Sequence, residues 1–228
     1  MDVKWRREYK HLINAGERLV LEQRLSALMH RDSNCNGNKP TYHIRSLYFE
    51  NDANKILQEK LSGLALRDKY RIRYYNLDPT YIRLEKKSKR GAYGNKSGCL
   101  LTQKQCAQIL AGDIGWMQSA DNPLLRDTYL ALTLYRLKPA VVVDYMREAF
   151  VLPMGNVRIT LDSNLRSSIM TDGFFSKGLP TLSILQPGLT VLEVKYDEYL
   201  PDFIAQAIQI GNRKDQAISK YTASRVYG

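Results

Sequence analysis

Basic side chains recur at every second position along several segments of the sequence. Lys69, Arg71 and Arg73 follow this spacing, and Lys87 and Lys89 repeat it in a later segment. Because successive side chains of a β-strand point to opposite faces of a sheet, each set would lie on one face. Grouped lysine and arginine side chains bind phosphate oxygens, and a guanidinium group can hold two of them at once. The spacing therefore predicts a cationic surface suited to a phosphorylated ligand.

The same spacing recurs elsewhere in the chain, where carboxylates accompany the basic residues. The residues that would share a charged face are Arg6, Glu8 and Lys10; Arg83, Glu85, Lys87 and Lys89; Tyr145 and Arg147; Arg158, Thr160 and Asp162; and Glu193 and Lys195. For any one strand, a charged face in solvent is the simpler interpretation. Six such strands favour a shared surface that faces a polyanion. Like charges about 5 Å apart repel by roughly 3 kcal/mol at an effective dielectric constant of 20, and a bound anion relieves this repulsion.

The composition agrees with an anionic partner and argues against several other classes of protein. The chain has 228 residues, with 34 Lys and Arg against 23 Asp and Glu, a formal charge of +11 and a pI of about 9.5. With 44% hydrophobic and 25% charged residues, it is globular, and its length fits one domain over residues 1–228. The polar N-terminus, the shortness of the apolar runs and three cysteines without metal-ligand spacing argue against secreted, membrane-spanning and zinc-dependent proteins.

The sequence alternates between predicted strands and predicted helices. Strands are predicted at Trp5–Leu12, Tyr42–Phe49, Arg67–Tyr75, Thr80–Lys89, Ala140–Phe150, Asn156–Asp162 and Thr190–Lys195. Helices are predicted at Glu17–His30, within Asn51–Gly63, and at Thr102–Ala111, Pro123–Leu137, Pro201–Ile210 and Asp215–Arg225. The glycine-rich segment Arg90–Gly98 is predicted to be a mobile loop, and Phe174–Gly188 a long connection. We predict an α+β fold in which a closed or nearly closed antiparallel barrel has polar residues inside and helices packed outside.

Eight short motifs also occur in order along the chain. They are RxEYK at Arg6–Lys10, SLYFEN at Ser46–Asn51, KYRIRYY at Lys69–Tyr75, LEKKSK at Leu84–Lys89, DYMREAF at Asp144–Phe150, VRITLD at Val157–Asp162, LEVKY at Leu192–Tyr196 and SKY at Ser219–Tyr221. Together they resemble the catalytic domain of the vacuolar transporter chaperone (VTC) polyphosphate polymerases. That domain belongs to the triphosphate tunnel metalloenzyme superfamily, so the resemblance implies an eight-stranded antiparallel β-barrel around a basic tunnel. A bacterial stand-alone protein is the expected context.

The resemblance implies roles for individual residues. Those implied to act on the transferred phosphates are Arg71, Arg73, Lys87, Arg147 and Arg158, and those implied to bind substrate phosphate are Lys10, Tyr145, Lys195, Ser219 and Lys220. For Lys195, as for Lys89, electrostatic lining is the favoured interpretation. Glu193 is implied to bind the catalytic metal, Mn²⁺ or Mg²⁺. Glu8 is a second, weaker candidate ligand, since Arg6 replaces the first glutamate of the superfamily's common ExExK opening motif. Lys96 is a weaker match to a lysine at the tunnel mouth.

The activity implied is metal-dependent phosphoryl transfer, and polyphosphate synthesis from the γ-phosphate of ATP is the leading expectation. Two alternatives stay open: a triphosphatase or tripolyphosphatase that uses water as the acceptor, and a non-catalytic module that binds polyphosphate or RNA. Expected ligands are ATP or another nucleoside triphosphate, polyphosphate and pyrophosphate. Nucleic acid is not expected, because the sequence shows no aromatic stacking pattern. The expected location is the cytoplasm, with attachment to the inner face of the membrane through a separately encoded membrane-protein partner as a further alternative.

Overall fold

An antiparallel β-sheet forms the centre of the molecule. The computed structural model describes residues 7–35, 39–91, 93–210 and 219–226, and of Tyr93 only the backbone. In this part of the chain the strands are β1 (Arg7–Ile13), β2 (His30–Arg31), β3 (Tyr42–Glu50), β4 (Leu66–Tyr75), β5 (Asp78–Arg90), β6 (Tyr93–Leu101), β7 (Lys138–Leu152), β8 (Val157–Ser168), β9 (Leu182–Ser183) and β10 (Thr190–Tyr196). The helices are α1 (Ala15–Leu28), α2 (Lys55–Leu61), α3 (Gln103–Leu110), α4 (Pro123–Leu134), α5 (Asp202–Ala207) and α6 (Lys220–Val226).

The sheet curls like a barrel but does not close. Within the described residues, eight strands follow the order β1-β10-β8-β7-β3-β4-β5-β6, while the short β2 pairs with β7 and the short β9 with β8. The two ends of the sheet still approach each other through side chains, since the Lys87 ammonium on β5 donates to Glu8 on β1 across 2.8 Å. The predicted eight-stranded antiparallel α+β fold is therefore confirmed, with an open seam in place of full closure.

The outer face of the sheet is apolar and is covered by helices. On one side, Ile72 and Leu84 pack with Cys106 and Ile109 of α3 and Leu125 of α4 in one buried cluster. A second cluster joins α1 and α5 to β8 and β10 through Leu21, Leu25, Ile159, Val194 and Ile204. The strand residues among them, Ile72, Leu84, Ile159 and Val194, alternate with charged residues on the other face, as the spacing of two predicts.

Side-chain caps fix where the main helices begin. Asn14 and Glu17 form a reciprocal capping box at the start of α1, and Thr102 and Gln105 form another at the start of α3. Thr102, the first residue of the predicted helix Thr102–Ala111, is the N-cap of α3. The longest of these helices, α1, has 14 residues. None of the helices in the described residues is both long and apolar enough to cross a membrane.

The structure differs from the predicted elements mainly at their ends and in one loop. Arg90–Gly98, predicted to be mobile, is largely strand β6, because it continues the hairpin by pairing with β5. The helix predicted to end at His30 ends at Leu28, since His30 and Arg31 pair with β7 instead. The predicted helix Asp215–Arg225 is seen as α6, and its first residues lie outside the described part of the chain, as do Trp5 and Arg6.

Candidate active site

The charged faces of the strands meet on the concave side of the curled sheet. The register places Lys10 opposite Glu193, Glu193 opposite Thr160, and Arg71 opposite Glu85. We call this surface the concave site. It contains Glu8, Lys10, Lys69, Arg71, Arg73, Glu85, Lys87, Lys96, Tyr145, Arg147, Arg158, Thr160, Asp162, Glu193 and Lys195, and Ser219 and Lys220 add to it from the start of α6. All twelve predicted site residues thus lie on one surface, and their roles stay predictions.

Arg71 and Arg73 are held by a buried carboxylate on the next strand. Arg71 donates through Nε to Glu85 Oε2 at 2.7 Å, and Arg73 donates through Nη2 to the Tyr145 hydroxyl at 2.9 Å. Lys96 on β6 forms an ion pair with the same glutamate. Burial alone raises the pKa of Glu85, but the charges of Arg71, Arg73 and Lys96 lower it well below its usual range. Glu85 is therefore ionised and fixes the direction of the Arg71 guanidinium, while the hydroxyls of Ser46 and Tyr145 direct that of Arg73.

A second buried carboxylate holds the cations on the opposite side. Arg147 makes a two-point contact with Asp162, with distances of 2.6 and 2.7 Å, and Lys220 of α6 contacts the same carboxylate at 2.6 Å. The ring of Tyr145 lies beneath both cations, 5.3 Å from the Arg147 guanidinium carbon and 5.1 Å from Lys220 Nζ. Burial raises the pKa of Asp162, and the two cations more than reverse this effect, so the pKa is lowered. Asp162 thus ties α6 to the sheet at the concave site.

Glu8 and Glu193 form the candidate metal centre. Burial and the neighbouring Glu193 raise the pKa of Glu8, while Lys10 and Lys87 lower it, and the net pKa is lowered. Burial also raises the pKa of Glu193, but Lys195 and Lys10 bring it well below its usual range. Lys195 contacts Glu193 at 2.8 Å. Both carboxylates are therefore ionised oxygen donors that lie close to each other.

These two carboxylates fit a Mg²⁺ or Mn²⁺ ion that is shared with a bound phosphate. Mg²⁺ is commonly held by one or two carboxylates, with substrate phosphates supplying further oxygens. No group of three or more acidic, histidine or cysteine donors occurs in the described residues, which agrees with such a partial protein shell. The Thr160 hydroxyl, opposite Glu193 in the register, is buried and has no hydrogen-bond partner among the residues that the structure describes. It is therefore available to a phosphate oxygen or to a water molecule.

Arg158 lies at the edge of the concave site with two partners that sequence reasoning missed. It pairs with Asp32 and donates to the Tyr42 hydroxyl at 3.2 Å. Asp32 lies between the predicted helix Glu17–His30 and the predicted strand Tyr42–Phe49, and nothing in the sequence indicated its partner. Tyr42 could have been found, because it shares a period of two on β3 with Ser46 and Tyr48, whose side chains contact Arg73 and Arg71.

The start of α6 faces Lys69 on β4. Lys69 Nζ lies 3.5 Å from the Ser219 hydroxyl and 4.7 Å from the centre of the Tyr221 ring. The Tyr221 hydroxyl donates in turn to the buried carboxylate of Glu50. Burial and nearby cations lower the pKa of Lys69 to about 7. Lys69 was recognised as part of a charged face, but no role was assigned to it from the sequence.

Comparison with known protein families and solved structures shows what this chain is similar to. The VTC domain model matches residues 5–227. No curated protein sequence matched the chain. Among solved structures, a protein from Bacillus halodurans proposed to be an adenylate cyclase has a TM-score of 0.53 and 13% identity, with 94% of this chain and 96% of that one covered.

Two further similar structures are more distant. A proposed adenylyl cyclase from Hippeastrum with a dominant triphosphatase activity has a TM-score of 0.49 and 12% identity, covering 89% of this chain and 83% of that one. The Mimivirus capping enzyme triphosphatase has a TM-score of 0.45 and 11% identity, covering 91% and 86%. Identities this low bear on the fold alone. The family assignment rests instead on the domain model, which spans nearly the whole sequence, and on that basis this protein belongs to the VTC domain family.

Proposed function

We propose that this protein catalyses metal-dependent transfer of a phosphoryl group from a triphosphate held in the concave site. The observation that carries the proposal is an excess of positive charge on an inward-facing surface. In the described residues, the basic side chains there are Lys10, Lys69, Arg71, Arg73, Lys87, Lys96, Arg147, Arg158, Lys195 and Lys220, against Glu8, Asp32, Glu85, Asp162 and Glu193. A ligand with several negative charges suits such a surface. Membership of the VTC domain family supports the same ligand class.

The arginines of two nearby strands would hold the phosphates. Arg71 and Arg73 lie on β4 and Arg147 lies on β7, with only β3 between these strands, so a linear triphosphate on the concave face would be within reach of all three. Glu85 and Asp162 fix the guanidinium groups of Arg71 and Arg147 before the substrate binds, which lowers the entropic cost of binding. Phosphoryl transfer depends mainly on such positioning and on charge neutralisation.

Glu8 and Glu193 would hold the divalent ion in the same site. When bound, a divalent ion neutralises negative charge on phosphate oxygens and helps to orient them. Lys10 contacts both carboxylates, and Lys195 contacts Glu193, so both lysines would remain beside the phosphates as fixed positive charges. Their ammonium groups would favour substrates that carry more negative charge over substrates that carry less.

A direct transfer to the acceptor is the route that these residues support. The described cysteines are buried, and Cys106 lies in the outer core, where burial raises the pKa of its thiol to about 12. His11 and His43 occupy the outward-facing register positions of their strands. We infer that no protein nucleophile takes part and that the acceptor is the end of a growing polyphosphate chain, with a nucleoside diphosphate as the other product.

The test is to analyse products formed from ATP with Mn²⁺ or Mg²⁺, with and without a short polyphosphate primer. The proposal predicts a ladder of polyphosphate and one ADP for each phosphoryl group added to it. Orthophosphate without a ladder would show that water is the acceptor and would replace the polymerase proposal with a triphosphatase. Binding of polyphosphate without turnover under any of these conditions would contradict catalysis.

A further inference from the structure

Four basic side chains near the start of β4 lack the carboxylate partners that other cations of the concave site have. Lys60 is on α2, Arg67 and Lys69 are on β4, and Lys89 is on β5. Within the described residues, no carboxylate lies within ion-pair distance of any of them. The nearest acidic residues along the chain are engaged elsewhere, since Glu59 pairs with Lys55 and Asp68 pairs with Lys86. We call these four residues the basic rim.

The contrast with the rest of the concave site is consistent. Arg71 and Lys96 share Glu85, Arg147 and Lys220 share Asp162, and Lys10 and Lys87 contact Glu8. Each of these cations has a carboxylate partner before any ligand arrives, although two cations share each carboxylate. Among the described residues the basic rim has no such partner, so a bound anion would supply negative charge that it lacks.

The basic rim continues the concave site along the strands. Lys69 pairs in register with Lys87, and two residues further along Arg67 pairs with Lys89. Residues two apart on a strand share a face and are separated by about 6.6 Å. Cations at this spacing form a track that leads from Arg71 toward the open end of the β4–β5 hairpin, where β4 begins and β5 ends.

The four side chains interact electrostatically with one another. All are half-buried. Burial lowers the pKa of Lys60, and the charges of Arg67 and Lys89 lower it further. Burial likewise lowers the pKa of Lys89, with Arg67 and Lys87 adding to the effect. Such a group of close, desolvated cations is stabilised by an anion that contacts several of them together.

We propose that the basic rim binds the phosphates of a linear polyphosphate chain where it extends beyond the concave site. This proposal rests on the proposed function, because it takes the chain end to lie among Arg71, Arg73 and Arg147. A chain of repeating anions matches a track of repeating cations. Nucleic acid is disfavoured, because its bases would need an open aromatic ring on which to stack. The Tyr221 ring beside the rim is already covered by Lys69.

The experiment compares short and long ligands on a variant that leaves the concave site intact. Affinities for tripolyphosphate, for a long-chain polyphosphate and for a single-stranded RNA are measured for the wild type and for Lys60→Gln/Arg67→Gln/Lys89→Gln. We expect the long chain to bind about tenfold more weakly to the variant, while the affinity for tripolyphosphate changes less than about twofold. The control is Lys104→Gln/Lys138→Gln/Lys177→Gln, which removes three exposed positive charges elsewhere.

Each of the other possible results would overturn the proposal, and each has a different interpretation. Equal losses for the long chain in the variant and the control would show that only net charge matters. Equal losses for both ligand lengths would show that the basic rim has no role specific to the extended chain. A loss of RNA binding without a loss of polyphosphate binding would assign the rim to nucleic acid. Failure of the wild type to bind either phosphate ligand would overturn the proposed function as well.

Discussion

At the scale of single residues, the carboxylates of the concave site divide into two kinds. Glu85 and Asp162 each bind an arginine and a lysine closely, which suits a positioning role. Glu8 and Glu193 are also closely paired, but their close partners are lysines and the two carboxylates lie near each other. This difference is why the second pair is the better candidate for a divalent ion, although all four carboxylates line one surface.

Glu193→Gln is predicted to abolish most of the metal-dependent turnover. The amide keeps the shape of the side chain but removes the negative charge that a divalent ion requires, so we expect kcat to fall by roughly two orders of magnitude. The measurement is turnover of ATP over a series of Mn²⁺ concentrations, with circular dichroism to check folding. Full activity at ordinary Mn²⁺ concentrations would contradict the assignment of Glu193.

Lys69 is predicted to make the binding of phosphate depend on pH. In the free protein its pKa is about 7, through burial and the charges of Arg67, Lys60, Lys87 and Lys10. A bound phosphate favours the charged lysine and raises this pKa, so above pH 7 binding takes up a proton and affinity falls as pH rises. The contribution is at most about tenfold per pH unit.

The measurement for Lys69 is the affinity for tripolyphosphate between pH 7.5 and 9 in the wild type and in Lys69→Arg. Arginine stays charged over this range, so the variant should show a shallower loss of affinity. Lys96, with a pKa lowered to about 8 by burial, titrates in both proteins and cancels in the comparison. Identical slopes would show that Lys69 does not contact the phosphates.

At the scale of elements, α6 matters because it presents Ser219 and Lys220 to the concave site. Tyr221 and Arg225 anchor this short helix, through Glu50 and Asn54 respectively. Glu50 also accepts hydrogen bonds from backbone amides around the start of α2, so one buried carboxylate joins α6 to that helix. The position of Lys220 therefore depends on an anchor outside the concave site.

Tyr221→Phe is predicted to loosen α6 without altering the charged residues. Loss of the hydrogen bond to Glu50 should lower the free energy of unfolding by about 1.5–3 kcal/mol. We expect a several-fold weaker affinity for tripolyphosphate, because Lys220 is held less firmly. Denaturant unfolding and a binding titration test the two effects, with the exposed Tyr199→Phe as control. An unchanged affinity would show that Lys220 is positioned by Asp162 alone.

Gly155 in the turn between β7 and β8 is required by the backbone. Its φ is +67°, and an added Cβ would lie 2.6 Å from the Tyr199 carbonyl oxygen. Gly155→Ala should therefore cost about 2 kcal/mol or more of unfolding free energy, with little change in turnover per folded molecule. Gly178→Ala, which meets nothing closer than 4.0 Å, is the matched control. Equal stability of the two variants would contradict this view of the turn.

The elements show which parts of the fold could be predicted from sequence. Alternation of charged and apolar residues was enough for β4, β5, β8 and β10, because one face is buried under helices and the other lines the concave site. It failed for β6, where glycines suggested a loop, although strand pairing with β5 satisfies the backbone. An added Cβ at Gly98 would meet only the flexible end of the Arg83 side chain within 3 Å, so packing does not require this glycine.

The candidate site was predictable for residues that lie in strands and less so for contacts made by loops. The motifs placed all twelve proposed residues on one surface. They gave no hint of Asp32, which reaches Arg158 from the segment after β2, because such a contact depends on tertiary structure alone. The alternation also could not show that the sheet remains open, since closure depends on how its two ends meet in space.

At the scale of the whole molecule, curling of the sheet turns a polar face into a surface that encloses charge. Each strand alone would display an ordinary solvated face. The curl brings β1 within hydrogen-bonding distance of β5 and gathers the arginines of β4 and Arg147 of β7, with β3 between them, on one concave face. The helices outside cover the apolar face that the same curl leaves exposed.

The central claim is that the concave site holds the phosphates during transfer, and a structure with tripolyphosphate and Mn²⁺ bound tests it most directly. The account predicts phosphate oxygens within hydrogen-bonding distance of Arg71, Arg73 and Arg147, with the metal beside Glu8 and Glu193. Phosphate bound on the outer face of the sheet, with the concave arginines still paired only to Glu85 and Asp162, would contradict it.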